Sequence, residues 1–158
     1  MEYDIYIAGP LFSIAEGEFT YYVQDKLESY GLIVYRPSPV IDNPEKDHPE
    51  LDAFQKDVEA IIASKMMFAV MDGPDPDSGT SWEVGFAFGI NKYLRRMPIV
   101  LYRSDFRNAS DSKSGVNLML TESADSIYFD DMNMRGDGFG DLDDLNLAVE
   151  KCVERCRR

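Results

Sequence analysis

Apolar positions along this chain fall in two alternating patterns: short unbroken runs of strand length, and longer stretches with apolar residues three or four apart. Tyr3-Asp4-Ile5-Tyr6-Ile7-Ala8 has the β-branched and aromatic content of a buried strand, and Gly9-Pro10 ends it. Ile14 to Tyr30 carries Phe19, Tyr22, Val23 and Leu27 at helical spacing, with Gly31 just past the end as a helix stop. Leu32-Ile33-Val34-Tyr35 reads as a second strand, followed by a polar, proline-bearing loop from Arg36 through Pro49. Phe54, Val58, Ile61 and Ile62 mark a helix over Glu50 to Lys65, and Met66 to Met71 is a third strand. A helix starts near Gly79, and Pro98-Ile99-Val100-Leu101-Tyr102 is a fourth strand. Arg103 to Ser114 is a polar loop and Val116 to Leu120 one or two helical turns. Ser126-Ile127-Tyr128-Phe129 is a fifth strand, Asp130 to Asp144 an acidic surface loop, and Leu142, Leu145, Val149, Cys152, Val153 and Cys156 support a closing helix.

Strands that alternate with helices need crossover connections, which build a parallel sheet covered on both faces. The expected fold is α/β: a doubly wound, flavodoxin-like or Rossmann-like sheet of five parallel strands, formed by residues 1–158 as one domain. Ligands of such sheets bind beyond the carboxyl ends of the strands, where strand order reverses. Ala8 to Phe12, the loop from Arg36, the turn from Asp72 and the segment after the fourth strand lie at that end.

Two acids stand out there. In a helix from Gly79, Glu83, Phe86, Ala87 and Ile90 fall at i, i+3, i+4 and i+7, so Glu83 begins the core-facing stripe. Thr80-Ser81-Trp82-Glu83 equally reads as a capping box with Thr80 as the cap, and the local pattern leaves the two open. Asp57, three after Phe54 and four before Ile61, lies on or beside the second helix's stripe; taken alone, it reads as a boundary residue.

Composition narrows the partners. With 16 Lys and Arg against 29 Asp and Glu the net charge is −13, which opposes binding to a phosphate backbone, so nucleic acid is not an expected ligand. No apolar run reaches membrane-spanning length, and the acidic N-terminal residues run directly into a strand, so no membrane partner and a cytoplasmic location are expected. One histidine and the two cysteines, Cys152 and Cys156, are too few for a zinc site and are assigned to helix packing.

The chemistry follows from the same loops. Gly9-Pro10 has neither the G-x-G-x-x-G pattern nor a P-loop lysine, and Asp72, Asp75 and Asp77 guard the other glycine-bearing turn against phosphate. A magnesium-binding phosphoacceptor site wants an acid pair after the first strand, which Gly9-Pro10 does not offer. Glycosyl transfer needs one carboxylate to attack an anomeric carbon and a second group to protonate the leaving group, roles open to Glu83 and Asp57. No metal or organic cofactor is expected.

Tyr6-Ile7-Ala8-Gly9-Pro10, Asp57, the run Asp77-Ser78-Gly79-Thr80-Ser81-Trp82-Glu83-Val84-Gly85, and Asn117-Leu118-Met119 together resemble the nucleoside 2-deoxyribosyltransferase family, from the first strand to about residue 120. The resemblance implies base exchange on 2′-deoxyribonucleosides through a covalent deoxyribosyl intermediate on Glu83. It implies that Asp57 exchanges a proton with the base, Tyr6 orients Glu83, Asp77 holds the sugar 5′-hydroxyl and Phe12 stacks on the base. Gly9 and Met119 fall in the matched segments and are assigned to substrate binding with them. Asn117 would reach the 5′-hydroxyl in a neighbouring subunit, because family sites are completed across a dimer interface; a homo-oligomer with shared sites is therefore expected. The expected small-molecule partners are deoxyribonucleosides and nucleobases.

A deoxynucleoside monophosphate glycosidase of the same superfamily is the nearest alternative, and a carboxylate at the Asp77 position favours a nucleoside over a nucleotide. A non-catalytic nucleoside-sensing domain is the alternative from another class, opposed by the intact set Tyr6, Asp57, Asp77 and Glu83. The stretches Arg103 to Ser114 and Asp130 to Asp144 have no family counterpart, and Arg157-Arg158 at the end takes no family contact.

Overall fold

The computed structural model describes residues 2–38, 47–105, 116–129 and 143–157. Its elements are β1 (Tyr3–Ala8), α1 (Ile14–Glu28), β2 (Val34–Tyr35), α2 (Pro49–Ala63), β3 (Ser64–Val70), α3 (Ser78–Tyr93), β4 (Ile99–Arg103), α4 (Leu118–Thr121), β5 (Ser126–Phe129) and α5 (Asp143–Cys156). All neighbouring strands pair parallel, in the order β2-β1-β3-β4-β5. This is the doubly wound, flavodoxin-like sheet that the alternation predicts, with strand order reversing between β1 and β3.

Strand side chains point alternately to the two faces, so each central strand feeds two cores. Ile5, Ile7, Met66, Phe68 and Val70 meet α1 and α5 through Val23, Leu27, Leu145, Val149 and Cys152. Tyr6, Ala8, Met67, Ala69 and Met71 meet α2 and α3 through Ala60, Ile61, Val84, Ala87 and Ile90. The small side chains Ala8 and Ala69 are register partners, and they let α3 lie close over the carboxyl end of the sheet.

Helix ends follow local chemistry. Ser13 and Glu16 form a reciprocal capping box on α1, and Gly31 takes a positive φ of 84° in the turn after it. Pro49 sits in the first turn of α2, where its missing N–H costs nothing, so α2 takes up the last residue assigned to the preceding loop. Cys152 is buried and Cys156 half-buried against the core, in keeping with a packing role for both.

Several boundaries move. The second strand shrinks from Leu32–Tyr35 to Val34–Tyr35, since Ile33 instead bonds through its N–H to Asp4 Oδ2 at 2.8 Å and lies half-exposed. Ser64 and Lys65 belong to β3 and not to the helix before it: Ser64 is the register partner of Tyr3, and Lys65 pairs with Asp4 at 2.7 Å. Arg103 ends β4 as a buried residue instead of opening a loop. The α2 stripe is narrower than the spacing suggests, with Ala60 and Ile61 buried but Phe54 and Ile62 half-exposed. Residues 39–46 of the loop after β2, 106–114 of the polar loop and 130–142 of the acidic loop, Leu142 among them, lie outside the described residues, while Asp143 and Asp144, assigned to the acidic loop, open α5.

Candidate active site

The cavity at the carboxyl end of β1 and β3 has a volume of about 390 Å³. Gly9, Leu11 and Phe12 from the segment after β1 form one wall, and Pro37 and Ser38 after β2 another. Asp57 on α2 and Asp77, Gly79, Thr80 and Glu83 at the start of α3 complete the lining. Three carboxylates thus share one small space, and among the described residues no Lys or Arg lines it.

At two of these places a side chain would approach its neighbours closely. A Cβ on Gly9 would meet Thr20 Cγ2 and Val70 Cβ, each at 3.2 Å, where β1 passes between α1 and β3. One on Gly79 would stand 3.0 Å from Asp77 Oδ2. That oxygen accepts the Thr80 N–H at 3.0 Å, which makes Asp77 the N-cap of α3. The capping box centred on Thr80 is therefore not formed: the helix begins at Ser78, and Thr80 is a buried residue within its first turn.

The stripe that α3 buries is Thr80, Val84, Ala87 and Ile90, so Glu83 stands at its margin, between core and cavity. Behind it, the buried Tyr6 hydroxyl donates to Glu83 Oε1 at 2.6 Å. Burial pushes the Glu83 carboxyl up to about 7; the Tyr6 bond opposes this rise, while Asp57 and Asp77 add to it. Glu83 is the sixth residue of α3, beyond the first turn in which the helix-end field acts, and desolvation outweighs that field.

A carboxyl whose proton affinity is raised on folding holds its proton in the folded state after the unfolded chain has released it. Its burial is therefore costless below about pH 4.5, becomes destabilising as pH rises toward about 7, and costs its full amount above that. Glu83→Gln keeps an acceptor for Tyr6 and removes the charge. The variant is expected to be more stable than the parent by about 1–3 kcal/mol at pH 8 and equal to it near pH 4. Urea unfolding at the two pH values checks this; an advantage that does not depend on pH would contradict it.

Asp57 accepts the Tyr35 hydroxyl at 2.9 Å through Oδ1. Burial raises its proton affinity, against the lowering effects of the Tyr35 bond and of Lys56. Phe12 is 81% exposed at the rim, an aromatic face with little protein against it. Asn117 and Met119 are not among the cavity's lining residues. Asn117 precedes the short α4 as its N-cap, its Oδ1 accepting the Met119 N–H at 2.9 Å, and Met119, within α4, is 76% exposed.

Of the three acids expected to guard the turn after β3, only Asp77 lines the cavity. Asp72 is turned toward β4, where it accepts from Ser104 N and Oγ, both at 2.6 Å, and from Asp105 N at 3.0 Å. The Arg103 guanidinium crosses the other way to Met71 O and to Gly73 O at 2.9 Å. Gly73, at φ 115°, donates to Asp105 Oδ2 at 3.1 Å. This brace ties the end of β4 to the turn that delivers Asp77 and Glu83. Neither the brace nor the Tyr35 contact is apparent in the linear sequence. The one signal for Tyr35 is its register opposite Tyr6, which exists only once β2 is paired with β1.

The family model for nucleoside 2-deoxyribosyltransferase matches residues 5–145. No protein of curated function matches the chain in sequence. Among solved structures, a conserved protein from Enterococcus faecalis V583 superposes with a TM-score of 0.70 at 20% identity, covering 98% of this chain and 99% of its own. A 2-deoxyribosyltransferase from Bacillus psychrosaccharolyticus gives 0.63 at 24% identity over 80% of this chain and 86% of its own. A 2-desoxiribosyltransferase from Leishmania mexicana gives 0.61 at 22% identity over 96% and 97%. At these identities the structures establish a shared fold, while the sequence model covers both acids, the β1 segment and α4. The chain belongs to the nucleoside 2-deoxyribosyltransferase family.

Proposed function

We propose that this protein transfers 2-deoxyribose from one nucleobase to another by double displacement, with Glu83 as nucleophile and Asp57 as the proton carrier. The observation that supports it best is the pair of carboxylates in one cavity, each held from behind by its own phenol. Tyr6 holds Oε1 of Glu83, which leaves Oε2 to attack C1′ of the sugar. As the C1′–N bond breaks, Asp57 gives its proton to the departing base. In the second half the incoming base returns a proton to Asp57, its nitrogen attacks C1′, and the bond to Glu83 breaks. Asp77, whose Oδ2 is engaged as the α3 cap, presents its other oxygen to the 5′-hydroxyl. Phe12 closes on the base, and Gly9 lets the substrate approach the backbone.

A nucleoside suits this cavity better than its 5′-monophosphate. A phosphate beside Asp77 would meet repulsion of roughly several kcal/mol at low screening, and the described lining holds no cation to relieve it. We further propose that residues 1–158 act as one domain, in the cytoplasm, as a homo-oligomer in which Asn117 and Met119 serve a neighbouring subunit's site. The exposed side chains at α4 and their absence from the lining of their own cavity favour that arrangement. No cofactor takes part in the proposed steps. No helix among the described residues is long and apolar enough to cross a membrane.

Incubation with deoxyinosine and adenine tests the proposal by chromatography. Deoxyadenosine is expected to accumulate. Hypoxanthine without a new nucleoside would assign the chain to hydrolysis instead, and turnover of deoxyadenosine 5′-monophosphate as fast as deoxyadenosine would overturn the nucleoside preference.

A further inference from the structure

The two acids are spaced by the sheet. Tyr6 and Tyr35 are register partners across β1 and β2, and their rings stack at 5.5 Å with planes 17° apart. Their hydroxyls go to different acids, Tyr6 to Glu83 on α3 and Tyr35 to Asp57 on α2. Tyr3 packs edge-on against Tyr35 at 5.1 Å and 61°, so the second ring has two aromatic neighbours. A carboxylate on a helix would otherwise be free to rotate about its side-chain torsions. Here each is fixed by a phenol whose place is set by backbone pairing.

We propose that Tyr35 is the positioning residue for the proton-transfer half of the site: its hydroxyl pins Oδ1 of Asp57 and so presents Oδ2 to the nucleobase. This rests on the assignment of Asp57 as proton carrier. The pairing separates the two roles, with one phenol serving the nucleophile and the other the acid. The groups facing Asp57 are Tyr35 from β2, Tyr6 from β1, Glu83 and Asp77 from α3, and Lys56 on its own helix. Of these, Tyr35 donates a hydrogen bond to the ionised carboxylate, which favours the charged form and keeps the proton transferable despite burial. Loss of that hydroxyl makes Asp57 hold its proton more tightly and leaves its rotamer unfixed.

Tyr35→Phe removes the hydroxyl and keeps the stacked ring. Carbon-13 labelling of aspartate follows the Asp57 carboxyl directly. Its titration midpoint is expected to move up in Tyr35→Phe and to stay at the parent value in Tyr3→Phe. Placing 3,5-difluorotyrosine at position 35 strengthens the donor without altering the packing, and is expected to move the midpoint down. Base exchange by Tyr35→Phe is expected to fall about tenfold for poorly leaving bases and less for good ones, part of the ~10²–10⁴ that a positioned proton donor supplies. A midpoint unmoved by both changes, or a loss equal for all bases, would overturn the inference. The titration needs no turnover, so the two assignments fail separately. A parent protein that exchanges no bases sinks the proposed function, while an unmoved midpoint in an active parent sinks the role of Tyr35 alone.

Discussion

Glu83→Ala is expected to abolish base exchange, lowering kcat/KM by on the order of 10⁴-fold or more, the scale seen when a covalent nucleophile is removed. The fold should survive. Glu83 stands at the margin of the α3 stripe, the buried Val84, Ala87 and Ile90 carry the packing, and truncation takes a desolvated charge away from Asp57 and Asp77. The Tyr6 hydroxyl loses its acceptor, a cost of about 1–3 kcal/mol that water entering the adjoining cavity offsets. A far-ultraviolet spectrum and unfolding midpoint close to the parent's, together with the absence of exchange, are the expected pair of results. Exchange within tenfold of the parent would show that the attacking group lies elsewhere.

Asp57→Ala should act on a different step. Without a proton donor the base must leave as an anion, so the loss is expected to reach about 10²–10³-fold for bases that leave poorly and to shrink toward nothing for bases that leave readily. Rates across a series of deoxyribonucleosides with graded leaving groups measure this as a steeper dependence on the basicity of the leaving nitrogen. A uniform loss across the series would recast Asp57 as a structural acid. The neighbourhood argues for the first outcome, because Asp57 is half-buried, lines the cavity and receives its described hydrogen bond from Tyr35, which is not among the lining residues.

The order of elements was legible because each strand and helix carries its own period. β1 and β5 fall where the apolar runs place them, and the crossover rule forces a parallel sheet. Boundaries were less legible where a tertiary partner decides them. Ser64 and Lys65 look helical by spacing, yet pairing with β1 and the Asp4 carboxylate draws them into β3. Arg103 looks like loop, yet it is buried because the carbonyls of Met71 and Gly73 wait for its guanidinium. In the site, Glu83, Asp57, Asp77, Gly9 and Phe12 gather at one cavity as their motifs suggest. The raised proton affinity of Glu83 was not legible, since desolvation depends on what closes over the carboxyl and no spacing encodes that. Asp77 illustrates the same limit: its place was readable, but its part as the cap of α3 needed the backbone of the turn.

The bond between C1′ of deoxyribose and the Glu83 carboxylate is the most direct test of the mechanism. The protein is mixed with a deoxyribonucleoside, quenched in acid within the first turnovers and weighed intact, then digested and mapped. A mass gain of one deoxyribosyl group on the peptide that contains Glu83, lost again on adding an acceptor base and accompanied by new nucleoside, is the predicted result. Exchange that proceeds with no such adduct, or with the adduct on another side chain, would contradict it.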